Sequence, residues 1–221
     1  MKILFYDRIQ DSDANSKLKS APLADKLTDA SFVITFDESE TINCLGIGYT
    51  DATTLTVNGE TISLSAEGKY KNGLYILDTE ITGTTLTITH NGTYIGRLAA
   101  GQYVELGLSP AREPGFWNTA VPRKTLSGQI IEGKGGVVGR SQQVDIRYKI
   151  NKSDWEQIEN GYNAELGRGY PMFILFDKEY DSGDGRFVWE RLYATGDLSP
   201  TYQSSVNRFL YSKKIQLLEA Y

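Results

Sequence analysis

From residue 31 onward, apolar and polar positions alternate in short bursts. The run Phe32-Val33-Ile34-Thr35-Phe36 comes first, followed by residues 42–48, 53–57, 61–64, 73–77, 84–89, 94–98 and 103–106. Most are rich in Thr, Val, Ile or Tyr, side chains that suit a pleated, half-buried surface, so each burst is predicted to be a strand. Asn58-Gly59, Asn72-Gly73 and Asn91-Gly92 fall between bursts. Asn-Gly favours the two positive-φ positions of a tight hairpin, which predicts antiparallel pairing. Short strands at regular spacing predict a β-sandwich or jelly roll over residues 1–108.

The pattern breaks at residues 109–125, which hold Pro110, Pro114 and Pro122 and follow neither a helical nor a strand period. A linker is predicted there, with the domain boundary inside it. Phe116-Trp117 in mid-connection either pack against one or both domains or anchor a partner. Residues 126–221 read as a second β domain. Val144, Ile146, Tyr148 and Ile150 alternate with polar residues as in a half-buried strand. Ser153-Asp154-Trp155-Glu156 then matches a capping box, and Trp155, Ile158, Tyr162 and Leu166 follow at helical spacing up to Gly167, predicting a helix over 153–166. Residues 172–176, 187–193 and 209–218 return to strand.

Composition narrows the possibilities. The 221 residues are 40% hydrophobic and 23% charged, enough apolar side chain for a core in each half. A net charge of −5 supplies no positive field for phosphate backbones, so nucleic acid is not an expected partner. The longest dense apolar run, Met172-Phe173-Ile174-Leu175-Phe176, is strand-sized, so no membrane span is expected. The first residues lack the features of a secretion signal, which predicts synthesis in the cytoplasm. Without such a signal, Asn91-Gly92-Thr93 and Asn151-Lys152-Ser153 mark a turn and a helix start rather than glycosylation sites. The single cysteine, Cys44, lies in an apolar run and is expected to be a buried thiol.

Residues that could carry chemistry are few. The one histidine, His90, precedes Asn91-Gly92 and is expected in a solvated hairpin tip. One His and one Cys exclude His/Cys-rich zinc sites. Asp7, Asp11, Asp13 and Asn15 begin like a calcium loop, but Ser16 stands where glycine is needed and Pro22 where the bidentate Glu belongs. Asp177, Asp181 and Asp184 have the wrong spacing for that loop, and a solvated hairpin is the plainer account. The segment from Gly133 to Gly139 resembles a phosphate cradle only superficially, since Val138 replaces the third glycine and no Lys-Ser/Thr pair follows. Tyr49, Tyr70, Tyr75, Tyr94 and Tyr103 could stack on sugars, or pack on sheet surfaces as tyrosines in strands commonly do. No catalytic residue, cofactor site or metal site is predicted, and the chain is expected not to be an enzyme. The residues expected to meet a neighbour are Phe116, Trp117, Lys134, Asp181 and Asp184.

Two resemblances follow from particular runs. Phe32-Val33-Ile34-Thr35-Phe36-Asp37-Glu38, Ile42-Asn43-Cys44-Leu45-Gly46-Ile47-Gly48 and the segment from Tyr94 through Ile95-Gly96-Arg97 to Leu106 resemble the galactose-binding-like jelly roll found in structural proteins of tailed bacteriophages. The second half, with the strand opened by Tyr170-Pro171-Met172-Phe173, is similar in layout to the tail-tube-like β domain of phage tail-tip and baseplate proteins. The resemblance implies a virion structural protein, made in the host cytoplasm and repeated as an oligomeric ring or collar among other tail proteins and copies of itself. The alternative is a carbohydrate-binding module used in host-surface recognition, with a glycan as partner.

Overall fold

In the computed structural model, the described residues are 1–4, 7–12, 16–19, 26–64, 73–105, 111–118, 123–124, 130–131, 138–145, 172–176, 191–196, 202–205, 208–211 and 214–219. They are mostly β-strand in antiparallel sheets, with almost no helix. In the first half the strands are β1 (Lys2–Leu4), β2 (Ser31–Thr50), β3 (Thr54–Val57), β4 (Glu60–Ser63), β5 (Gly73–His90), β6 (Ile95–Gly101) and β7 (Val104–Glu105). The second half adds β8 (Ala111–Asn118), β9 (Arg123–Lys124), β10 (Ile130–Ile131), β11 (Val138–Asp145), β12 (Met172–Leu175), β13 (Arg191–Gly196), β14 (Tyr202–Ser205), β15 (Arg208–Tyr211) and β16 (Lys214–Glu219). A 3-10 turn at Arg8–Asp11 and a short helix α1 at Ser16–Lys19 lie between β1 and β2. The predicted helix over 153–166 lies outside the described residues, as does Tyr70.

A five-stranded sheet has the order β4-β3-β5-β2-β6. Its turn chemistry follows the sequence: Asn58 (φ 45°) and Gly59 (φ 93°) form the two-residue turn between β3 and β4. Two pairs of expected strands are fused, since 32–36 and 42–48 both belong to β2, and 73–77 and 84–89 both belong to β5. A 20-residue strand drawn straight would be about 66 Å long, yet β2 bends back on itself. Its start is tied by the His90 N–H donating to Ala30 O (2.9 Å) and its end by the Thr50 hydroxyl donating to Tyr94 O (2.6 Å). Only three residues lie between His90 and Tyr94, so the two ends of β2 lie within roughly 20 Å. The bending is localised where the β2–β5 register shifts, between Thr35 and Glu40 and between Ile42 and Cys44. Glu60 caps the outer bulge by accepting from the N–H groups of Asp78 (2.6 Å) and Thr79 (3.3 Å).

Strict alternation separates the two faces of the first bend. Phe32, Ile34 and Phe36 of β2 point inward with Leu86 and Ile88 of β5 and Leu55 and Val57 of β3, closing a core with Leu45, Ile47, Ile95 and Leu98 from the returning layer. Ser31, Val33 and Thr35, then Thr85, Thr87 and Thr89, Thr54 and Thr56, and Thr61 and Ser63 take the outward positions. Beyond the second bend, residues 44–48 are buried on both faces, because Cys44 and the neighbouring Leu74 and Ala99 meet Leu4 and Phe173 in a second core.

That second core joins the five-stranded sheet to a seven-stranded antiparallel sheet of order β7-β1-β12-β13-β16-β11-β8. Strands from both ends of the chain meet here: Ile3 lies opposite Ile174 on one side and Val104 on the other. The expected linker 109–125 contains β8 and β9, so much of it is paired backbone. Proline and glycine gave 109–125 the look of a connection, but β8 needs no strong strand former, being templated by eight register positions along β11. The described part of the expected strand 187–193 belongs to β13, and the described residues of 209–218 belong to β15 and β16. No helix among the described residues is long and apolar enough to cross a membrane.

Candidate assembly edge

β8 is the last strand of the seven-stranded sheet, paired to β11 on one side and to no other strand among the described residues on the other. The opposite edge, β7, is two residues long, whereas β8 has eight. Pro114 faces Gln142, and a proline has no N–H to give to the ladder. It is compatible with a strand whose N–H at that position points away from its neighbour, which is the geometry of an edge. By the two-residue repeat of a strand, the N–H groups of Arg112 and Phe116 point to the same open side. Gly115 sits opposite Ser141, and a Cβ there would come within 2.9 Å of the Ser141 hydroxyl, so glycine lets the two strands close up.

Of the residues expected to meet a neighbour, Phe116 and Trp117 are on this edge strand, opposite Arg140 and Gly139. Lys134, Asp181 and Asp184 lie outside the described residues, with Asp177 and the run 132–137. The sequence offered no sign that Phe116-Trp117 belong to a strand, since the alternation that marks other strands is absent around them.

The other candidate residues are engaged in packing. Asp7, the first member of the calcium-like pattern, is buried with Arg97, whose Nη2 donates to Asp7 Oδ2 at 2.7 Å. Asp7 Oδ1 accepts from the N–H groups of Ile9 (3.0 Å) and Ala100 (3.1 Å), and Arg97 Nη1 donates to Leu18 O. The described residues around this pattern form a strap over the first core: Ile9 and Leu18 are fully buried in it, and Leu27 bridges to Ile95. Among the described residues, no group of three or more His, Cys, Asp or Glu could hold a metal ion.

His90 is a correction to the expectation of a solvated tip. β5 and β6 are not neighbours, so Asn91-Gly92 is a crossover between sheet positions rather than a hairpin turn, and His90 ends β5 on its inward side. Its Nε2 lies 3.0 Å from Asp29 O, an acceptor, so Nε2 carries the proton and Nδ1 is left buried without a hydrogen-bond partner. The crossover is locked by side chains instead. Asn91 Oδ1 accepts from the N–H groups of Thr53 (2.8 Å) and Thr54 (3.0 Å), and its Nδ2 donates to the Thr53 hydroxyl (2.7 Å). Asp51 Oδ1 accepts from the N–H groups of Thr93 (2.8 Å) and Tyr94 (3.3 Å), and Oδ2 from the Thr93 hydroxyl (2.5 Å). Partial desolvation pushes the Asp51 carboxyl up, but the hydrogen bonds from Thr93 and Tyr94 outweigh it, and its pKa lies below the ordinary carboxylate value.

Cys44 is buried as expected: its thiol donates to Gly101 O at 3.3 Å, and desolvation drives its pKa far up, against thiolate chemistry. The tyrosines divide. Tyr75 is buried in the first core, and Tyr103 carries Lys2 over its ring at 4.6 Å. Tyr49 and Tyr94 meet at 5.9 Å between centroids, with Lys26 Nζ 3.9 Å from the Tyr94 centroid and 5.1 Å from that of Tyr49. The rings are thus covered by the chain's own cation. In comparisons with known proteins, the chain matches no family model, no curated protein and no solved structure.

Proposed function

We propose that this protein is a non-catalytic structural component of a larger assembly, a phage tail-tip or baseplate part repeated in a ring or collar. The observation that carries this reading is the eight-residue edge strand β8, whose outer side meets no other strand among the described residues. A row of unpaired backbone N–H and C=O groups is a template for another chain, and a free subunit leaves it exposed unless something covers it. Lateral pairing between neighbours satisfies those groups, and closed rotational symmetry leaves none over. Phe116 and Trp117 on this strand would supply ring-sized anchors for the neighbour.

The reading as a non-catalytic protein is supported by the fate of the two most reactive residue types, since Cys44 and His90 are both spent on packing and backbone contacts. The tail assignment is supported by the sequence resemblances to a galactose-binding-like jelly roll and a tail-tube-like domain, each compatible with antiparallel sheets of this kind. The test is to co-express the chain with the products of its flanking genes and to search purified particles by mass spectrometry and electron microscopy. A stable closed oligomer or particle-bound protein is expected. Arg112→Pro, which removes a second outward N–H beside Pro114, should leave the monomer folded and abolish assembly. A native chain that stays monomeric with every neighbour and is absent from particles would refute the proposal.

A further inference from the structure

Asn58-Gly59 and Asn91-Gly92 both lie among the described residues, and the fold treats them differently. An Asn-Gly pair carries its own reactants. The glycine N attacks the amide carbon of the preceding side chain, because no side chain on the glycine blocks the approach. In this step the N–Cγ bond forms, the Cγ–Nδ2 bond breaks, and the glycine N–H proton leaves with the ammonia. Water then opens the resulting succinimide ring at either carbonyl, leaving aspartate or isoaspartate. The dipeptide alone does not tell the two sites apart.

Asn58 and Gly59 occupy the exposed β3–β4 turn, and positive φ at both (45° and 93°) is the type I′ pattern. In that form ψ of the first residue is about +30°, which points the Gly59 N away from the Asn58 side chain. Rotating the one peptide plane between them gives the type II′ turn, with Asn58 at ψ of about −120° and Gly59 at φ of about −80°. The Gly59 N then eclipses the Asn58 Cβ, as closure of the succinimide ring requires. Both turn types join a two-residue hairpin, so the β3–β4 register survives the rotation. Glycine takes either sign of φ, and nothing lies within 4 Å of where a Gly59 Cβ would sit, so the rotation meets no wall. The Thr87 N–H donates to Asn58 Oδ1 (2.7 Å), which draws electrons from the carbon to be attacked.

At Asn91-Gly92 these freedoms are gone. Three hydrogen bonds to Thr53 and Thr54 hold the Asn91 amide, and a Cβ on Gly92 would overlap Asp51 Oδ1 and the Ala52 backbone. The peptide plane cannot turn there without breaking the crossover lock. We propose that Asn58 is a site of spontaneous modification in the folded chain, converting through a succinimide to aspartate and isoaspartate, while the fold keeps Asn91 unreactive. Either product adds a negative charge at the turn. The isoaspartyl form also adds a methylene to the backbone of a two-residue turn. That strains the paired bonds by which Asn58 N–H meets Thr87 O (2.9 Å) and Thr87 N–H meets Asn58 Oδ1, loosening β3 and β4 from β5.

The experiment is to age the full native chain in mildly alkaline buffer, with and without urea, and to follow the peptides holding Asn58 and Asn91 by mass spectrometry. In the folded chain Asn58 should convert faster than Asn91 by about tenfold or more, and in urea the two rates should converge. Conversion of Asn91 as fast as Asn58 in the folded chain would overturn the proposal. So would an Asn58 that converts in urea but stays intact when folded. A gap between the two sites that persists unchanged in urea would also overturn it, since the difference would then belong to the sequence and not to the fold.

Discussion

The two sheets are built in opposite ways. The five-stranded sheet comes from one stretch of chain, β2 to β6, in which β3 and β4 are joined by a two-residue turn and β2 reaches β5 and β6 across as many as 58 residues, as from Ser31 to Thr89. The seven-stranded sheet gathers β1 from the start, β7 and β8 from the middle and β16 from the end, so it is complete only when segments as far apart as Lys2 and Leu175 meet. The largest sequence separations thus fall in the second sheet, where loop closure costs most. Two features couple them. One is the N-terminal segment, which places β1 in the large sheet and then crosses to the small one through Asp7 and Ile9. The other is the second core, where Phe173 of β12 covers Gly46 of β2.

Arg97→Ala should have the largest effect. It leaves Asp7 as a buried carboxylate with its cation removed and frees Leu18 O, and breaking a buried pair in this way costs about 3–5 kcal/mol. The loss should appear as a lower denaturant midpoint at unchanged slope. If the two sheets are one cooperative unit, amides of β12 and β6 will lose hydrogen-exchange protection together. Loss confined to β6 would show that the strap does not couple them.

Gly46→Ala tests the second coupling. A Cβ at 46 would overlap the Phe173 ring, and overpacking of this kind costs about 1–3 kcal/mol. Phe173→Leu in the same chain should recover part of that loss, and a double-mutant cycle should give a coupling of about 0.5 kcal/mol or more. Strict additivity would mean that the sheets are not in contact at this point.

The same contrast explains what could be read from the sequence. The strands of the small sheet were legible because alternation and the Asn58-Gly59 turn are local signals, and the burial of Cys44 followed from its apolar neighbours. Fusion of the bursts into β2 and β5 was not legible, since a bulge such as that around Thr35 and Glu40 breaks the period as a loop does. The burial of His90 was missed because Asn91-Gly92 says "turn" without saying which strands it joins. The pairing of β8 was missed for a stronger reason: no local propensity marks Ala111–Asn118, and its order comes from β11, twenty and more residues away. Asp7 read as a member of an acidic pattern, and only the fold brings Arg97 to it.

A third, smaller effect concerns local turn chemistry alone. Gly59 has φ 93° and open space where a Cβ would go, so Gly59→Ala meets no clash and carries only the backbone strain, about 1 kcal/mol. Denaturant melts should show that loss, with protection in the large sheet unchanged apart from the global shift. A change below about 0.3 kcal/mol would mean that the β3–β4 turn contributes little to the folded state.

The smallest effect expected is the pH dependence of the Asp51 crossover lock. Its carboxyl has a lower pKa folded than unfolded, because the Thr93 and Tyr94 hydrogen bonds favour the ionised form. A depressed folded pKa means that the unfolded chain takes up a proton first. The stabilisation is therefore complete above the ordinary Asp pKa of about 3.9 and is lost as pH falls through the lower folded value. Asp51 is solvent-exposed, so screening keeps the contribution to a few tenths of a kcal/mol. Asp51→Asn keeps an acceptor oxygen but removes the titration, and should flatten the stability profile between about pH 5 and pH 2 relative to the native chain. The difference between the two chains should grow from about pH 2 to about pH 5 and then level. A constant difference across that range would show that the carbonyl oxygen alone holds Thr93, and that the charge on Asp51 adds nothing to the lock.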